Sequence, residues 1–371
     1  MKSFRQMKNK EDFKNAAKVQ PAVNYPPEVN PVAFSPSGKK KKRKYSADEY
    51  VEGILSGNRT ILSQAITFIE STLPDNAEIA RQIIDKCFPL SSRSVRIGIT
   101  GAPGVGKSNF IESFGLHLTR LGRKIAVLAI DPSSAQTKGS ILGDKTRMEK
   151  LSIQENAYIR PSPSAGTLGG VADRTRETII LCEAAGFDTI IVETVGVGQS
   201  ETAVRTMVDF FLLLLSASAG DELQGIKRGI MEMADGIAVT KADGPNRLNA
   251  ERARISFQNA MNLFPLPTSG WKPAVMTCSA HQNSGIAELW DNILEYVRHT
   301  TSGGYFEKLR KEQEVTLMHA IISESLTSSF YSDKKIKPLL KSLEKQLYEG
   351  KITSHNAAFA LLDKYHIKRA P

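Results

Sequence analysis

The chain has 371 residues, 41% of them hydrophobic and 24% charged, and a formal net charge of +10. This is the balance of an ordinary folded protein, long enough for one large α/β domain with helical additions. No apolar run approaches the roughly 18–20 residues of a membrane span. The three cysteines, Cys87, Cys182 and Cys278, form no CxxC pair and no cluster with histidine; this argues against a disulfide framework or a zinc site and fits a reducing compartment.

Residues 1–44 read as a weakly ordered basic tail. They carry Pro21, Pro26, Pro27, Pro31 and Pro36, then the run Lys39-Lys40-Lys41-Lys42-Arg43-Lys44. A solvated tail is the leading reading of that run. A nuclear-import or nucleic-acid patch is the alternative, and no aromatic residue interleaves with the cations to support it. The N-terminus has no apolar signal core, and Glu11 and Asp12 interrupt it early, so a cytoplasmic location is expected.

Residues 45–90 form the expected N-terminal helical extension. Ser46-Ala47-Asp48-Glu49 has the form of a capping box, and Ile54, Leu55, Ile61, Leu62, Ala65, Ile66 and Ile69 recur at helical spacing. Residues 91–300 alternate strand and helix. Strands are expected at 94–100, 124–130, 188–194, 209–216, 236–240 and 274–279, each apolar without alternation, the pattern of strands covered on both faces. Helices are expected at 168–185, 225–234, 246–264 and 285–299. The fold class that follows is α/β, with a doubly wound, mostly parallel sheet. Residues 301–371 lose the strand signal and carry two or three helical patterns, such as 336–348 and 356–365. Gly350 is placed to end one, and Ser354 to cap the next. Simple packing on the core and an oligomer interface are both open for this region.

Gly101-Ala102-Pro103-Gly104-Val105-Gly106-Lys107-Ser108 is a complete G-x-x-x-x-G-K-[ST] phosphate loop between an apolar strand and a helical pattern. Its backbone N–H groups, with Asn109 following, and the positive end of the next helix suit phosphate oxygens. Lys107 is expected on the β- and γ-phosphates and Ser108 on Mg²⁺. Thr240-Lys241-Ala242-Asp243 ends a later strand. The Asp243 carboxylate can accept two hydrogen bonds from guanine N1–H and its 2-amino group, a pair that adenine does not offer. Ser279-Ala280, with His281 beside it, closes the next strand and could contact guanine O6 through its backbone.

Glu193-Thr194-Val195-Gly196 stands where many GTP switches carry Asp-x-x-Gly, so Glu193 is a candidate for holding Mg²⁺ through water and Gly196 for sensing the γ-phosphate. Asp131 ends a strand and is a further candidate ligand. Asp144 is an even choice between ligand and helix N-cap. The loop holding Asp221, Glu222, Gln224 and Lys227 is either a plain connector or a nucleotide-responsive switch. Gln199 receives no water-positioning role.

Taken in order, the phosphate loop, Asp131-Pro132-Ser133-Ser134, Gly143-Asp144-Lys145-Thr146-Arg147-Met148, Glu193-Thr194-Val195-Gly196-Val197-Gly198-Gln199-Ser200-Glu201 and Thr240-Lys241-Ala242-Asp243 resemble the MeaB/ArgK-type GTPases, a SIMIBI-class P-loop family that includes the methylmalonic aciduria type A protein. The resemblance covers roughly residues 46–370. It implies a GTPase that chaperones an adenosylcobalamin-dependent acyl-CoA mutase, most often methylmalonyl-CoA mutase, by gating cofactor loading and protecting or reactivating it. It also implies a homodimer with C-terminal helices at the interface. Ser108, Asp131, Asp144 and Glu193 would surround Mg²⁺, and the segment from Asp221 to Lys227 would be a third switch. No cobalamin-binding Asp-x-His-x-x-Gly sequence is present, so no cobalamin site of its own is expected. The rival readings are a small-molecule or transport-protein kinase, a metal-delivery GTPase, for which the six histidines form no cluster, and a nucleic-acid-associated GTPase using the basic run.

Overall fold

The computed structural model describes residues 45–71, 74–91, 94–131, 148–163, 168–194, 199–217 and 228–365. In chain order these form α1 (Ala47–Leu55), α2 (Arg59–Glu70), α3 (Pro74–Cys87), β1 (Val95–Gly101), α4 (Lys107–Arg120), β2 (Ile125–Asp131), α5 (Glu149–Ser152), β3 (Ala157–Pro163), α6 (Leu168–Ala184), β4 (Thr189–Thr194), α7 (Gln199–Arg205), β5 (Phe210–Ser216), α8 (Arg228–Met233), β6 (Gly236–Thr240), α9 (Arg247–Met261), β7 (Ala274–Thr277), α10 (Ile286–Ser302), α11 (Tyr305–Ser332), α12 (Ile336–Tyr348) and α13 (Ser354–Lys364).

The strands make one sheet in the order β3-β2-β4-β1-β5-β6-β7, and every pairing is parallel. Parallel strands need crossovers, and the helices supplying them cover both faces. The alternation along β2 shows this. Ala126, Leu128 and Ile130 join the core beneath α1, α2, α3 and α6. Ile125 and Val127 face the opposite core, with Phe110 and Phe114 of α4 and Trp290 of α10. The expected doubly wound sheet is therefore present, and all its carboxyl ends share one edge.

The capping box at α1 is formed in full: the Ser46 hydroxyl accepts from Glu49 N–H, and the Glu49 carboxylate accepts from Ser46 N–H at 2.8 Å. Two details differ from the sequence reading. β3 was not expected; it carries Arg160, Pro161 and Pro163, and proline is tolerated there because β3 is an edge strand with β2 as its partner. The cap of α13 is Thr353, whose hydroxyl accepts from Asn356 N–H at 3.3 Å, and Ser354 is already inside the helix. The two or three helices expected in the C-terminal region are three among the described residues, the first of them the 28-residue α11, whose bounds the apolar pattern did not give.

α11 is attached by polar groups. Gln313 is its buried residue, and its carboxamide donates to Val208 O at 2.8 Å. Arg310 clasps the fully buried Asp209 carboxylate through Nε at 2.8 Å and a terminal nitrogen at 2.7 Å, and donates to Ser94 O at 2.7 Å. Glu314 pairs with Arg176 of α6. Beneath them Arg96 and Glu183 form a buried two-point pair at 2.8 and 2.9 Å. Such charges are tolerated away from water because each meets opposite charge and donors together.

Candidate nucleotide site

The phosphate loop leaves β1, whose neighbours are β4 and β5. Gly101 pairs with Leu214, and a Cβ there would stand 2.5 Å from the Leu214 carbonyl oxygen, so no larger residue fits. The loop turns over Ala102, Pro103 and Gly104, all exposed, and is pinned by the buried side chain of Val105. Gly106, at φ +97°, is the N-cap of α4. α4 therefore begins at Lys107 with its first N–H groups directed toward the loop, the arrangement that binds anions.

Lys107 Nζ donates to Gly101 O at 2.7 Å and Ala102 O at 3.2 Å. Burial lowers its pKa below the usual lysine range, and the charges of Glu193 and Glu201 oppose that shift. Ser108 Oγ donates to Glu193 Oε1 at 3.4 Å. Glu193 lies near the end of β4, in register with Ile99 of β1 and Ala129 of β2. Thr194 Oγ1 donates to Thr100 Oγ1 at 2.8 Å, which ties the two strand ends together. The backbone of Asp131 ends β2 on the same edge of the sheet.

The other end of the candidate site is built by the loops that follow β6 and β7. Thr240 Oγ1 donates to Val105 O at 2.8 Å, and Lys241, in the left-handed region at φ +56°, reaches Gly104 O with its ammonium at 2.9 Å. The Ser279 hydroxyl donates to the Asp243 carboxylate and itself accepts from Gln282 N–H at 3.1 Å. Ala242 N–H donates to Cys278 O at 3.1 Å, which holds the two loops side by side. Ser113 of α4 donates to Ala280 O at 2.9 Å, and His281 is exposed in the following turn.

Thus the structure brings together Gly101 through Asn109, Glu193, Thr240, Lys241, Asp243, Ser279 and Ala280. Asp144, Gly196, Asp221, Glu222, Gln224 and Lys227 lie outside the described residues, as does the 39–44 basic run. Sequence reasoning missed four supports of this site: Ser113, Thr100, Asn246, whose side chain donates to Lys241 O at 3.0 Å, and Glu201, buried near Lys107. Only Glu201 had a signal, since it closes the long motif that begins at Glu193.

A phosphate loop on the central strand of an all-parallel sheet, with a carboxylate-bearing loop two strands away, defines a P-loop GTPase. The family model described as methylmalonyl Co-A mutase-associated GTPase MeaB matches residues 62–335, and the chain belongs to that family. Among its relatives, a probable GTPase of Mycobacterium tuberculosis is 46% identical over 320 residues, covering 85% of this chain and 95% of that protein. The mitochondrial methylmalonic aciduria type A homolog of Mus musculus is 41% identical over 338 residues, covering 88% and 81%. A crystal structure described as an LAO/AO transport system kinase superposes with a TM-score of 0.69 at 34% identity, covering 86% of this chain and 98% of that one. Among the described residues no helix is long and apolar enough to cross a membrane.

Proposed function

We propose that this GTPase is a Mg²⁺-dependent switch that attends an adenosylcobalamin-dependent acyl-CoA mutase, methylmalonyl-CoA mutase in the first instance. In this reading it gates cofactor loading and protects or reactivates the mutase. The observation that carries the nucleotide part is the convergence of Lys107, Ser108 and Glu193 at one end of a continuous loop surface with Asp243 and Ser279 at the other. The mutase part is supported by membership of a family described as mutase-associated. A cytoplasmic location belongs to the same reading.

The residues present fit Mg²⁺. Ser108 Oγ and Glu193 Oε1 are hard oxygen donors of the kind Mg²⁺ takes, and they stand 3.4 Å apart at the start of α4. Ser108 would ligate the ion directly, and Glu193 directly or through water. Asp131 and Asp144 complete the proposed set. Bound there, Mg²⁺ would neutralise charge on the β- and γ-phosphate oxygens.

Lys107 would exchange its bonds to the Gly101 and Ala102 carbonyls for phosphate oxygens, and its charge would then stabilise the β/γ bridge as it develops negative charge. The loop amides from Gly101 to Asn109 would hold the phosphates in line for attack by water. Asp243 would accept from guanine N1–H and the 2-amino group, with Thr240 and Lys241 bracing the loop. The amides of Ser279, Ala280 and His281 would face guanine O6. Gly196 would report the γ-phosphate, and Asp221, Glu222, Gln224 and Lys227 would carry its state to the mutase. Turnover by the chain alone is expected to be slow.

A homodimer is part of this reading. α11 leaves Val315, Met318, Ile322 and Leu326 exposed at helical spacing, an apolar row of the kind a second copy covers. The kinase reading, which the name of the superposable structure raises, is set against the Asp243–Ser279 pair, because a kinase of that kind needs no guanine-reading carboxylate. Two measurements test the proposal. GTP must be hydrolysed in preference to ATP; the reverse order removes the switch reading. A pull-down with a GTP analogue against GDP must retain a B12-dependent mutase in one state above the other, and recovery of none removes the chaperone reading.

A further inference from the structure

α9 turns Ala250, Ala253, Phe257 and Met261 into the core. At about 100° per residue, the positions diametrically opposite are Leu248, Arg252, Ile255 and Asn259. Leu248 is 64% exposed and Ile255 48%; Leu263, one residue past the helix cap, is 85% exposed and Leu266 67%. Single exposed apolar residues are ordinary, but apolar residues at the outward pole of a helix and continued beyond its end form a patch that packing among the described residues does not explain.

Charge selects what covers it. Arg252, on that outward line, is exposed and makes no ion pair among the described residues. The neighbouring carboxylate, Glu251, is already held by Arg254 at 2.7 Å. The uncompensated charge on this face is therefore positive. A second copy pairing through the same face would bring Arg252 toward its own image. A different protein, presenting an apolar ridge bordered by a carboxylate, meets both the apolar residues and Arg252.

We propose that the outward face of α9, from Leu248 through Arg252 and Ile255 to Leu263, is a docking surface for an acidic-rimmed partner protein; resting on the function proposed above, that partner is the mutase. The position gives the contact a consequence. α9 begins at Arg247, directly after the Gly244–Asn246 turn that follows Asp243, and Asn246 holds the Lys241 carbonyl at 3.0 Å. A partner seated on α9 therefore acts on the base-reading loop, and so on nucleotide release.

The test uses the full chain and purified methylmalonyl-CoA mutase, with binding measured by calorimetry in GDP and in a GTP analogue at two salt concentrations. Ile255→Asp and Arg252→Glu should each weaken mutase binding at least tenfold. GDP affinity in the absence of mutase should be unchanged, and Arg252→Glu should reduce the salt dependence. Both positions are exposed, and melting curves check that each variant is folded. Wild-type binding in both variants overturns the docking surface and leaves the mutase reading standing. If wild type itself binds no mutase in either nucleotide, the mutase reading falls and this assignment with it. Loss of self-association in Ile255→Asp, with mutase binding retained, gives the face to a second copy and also overturns the proposal.

Discussion

The Lys241 ammonium donates to the Gly104 carbonyl at 2.9 Å, joining the residue that follows β6 to the crown of the phosphate loop. Thr240 makes the adjacent link to Val105 O at 2.8 Å. The loop proposed to read the base and the loop proposed to hold the phosphates are thus one hydrogen-bonded body, so a change at either should be felt at both.

Asp243→Ala tests the base reading. It removes two charge-assisted hydrogen bonds to guanine, each worth about 1.5–3 kcal/mol. Affinity for GDP should fall at least ~100-fold, while the already weak binding of ADP stays level. Fluorescent-nucleotide titration measures both. Equal losses for the two nucleotides would remove Asp243 from base recognition.

Lys107→Ala should lower single-turnover GTP hydrolysis by roughly 10²–10³-fold, the usual effect of removing one preorganised donor from developing charge. GDP binding should weaken much less, since loop amides and Asp243 remain. A variant with unchanged hydrolysis would exclude Lys107 from the chemistry.

Arg310→Met breaks the clasp on Asp209, a carboxylate with no exposed side-chain surface. Leaving such a charge half-compensated costs about 3–5 kcal/mol. Denaturant unfolding should show that loss, and Asp209→Asn in the same chain should recover part of it, because the uncompensated charge is then gone. Additive losses would show that the two residues act independently.

Asp235 supplies a pH dependence. Its carboxylate accepts from Phe211 N–H at 2.8 Å and faces Arg205, yet burial raises its pKa from 3.8 to about 6. Below pH 3.8 the group is protonated in both folded and unfolded chains. Between that value and about 6 the folded chain keeps a proton that the unfolded chain has released. Stability from this group is therefore full at the acidic end and declines as pH rises to about 6, by roughly 3 kcal/mol at most. Relative to Asp235→Asn, wild type should lose stability from pH 4 to pH 6.5 in urea titrations. A flat difference would dismiss the shift.

Much of the fold was legible because its signals are local. Six of the strands are continuous apolar runs, since a sheet covered on both faces needs no polar alternation. β3 was hidden by Pro161 and Pro163, which read as breakers and are permitted by its edge position. α11 was hidden because it docks through Arg310, Gln313 and Glu314, and hydrophobic periodicity does not register a polar attachment. The candidate site divides in the same way. Its loops announce themselves by spacing, whereas Ser113 and Asn246 carry no motif and matter through one hydrogen bond each.

By itself the sequence determined the phosphate loop, the order of the Lys107, Glu193, Asp243 and Ser279 elements, and the class of fold, because each follows from backbone needs and side-chain periods over a few residues. Only the tertiary structure decided that β1 lies between β4 and β5, that Ser279 braces Asp243, that α11 grips the Val208–Asp209 connector, and that Leu248 and Ile255 face outward. Those facts depend on pairings between residues tens to more than a hundred positions apart. The free energy of such pairings is settled by the assembled packing and is not written in any local run of residues.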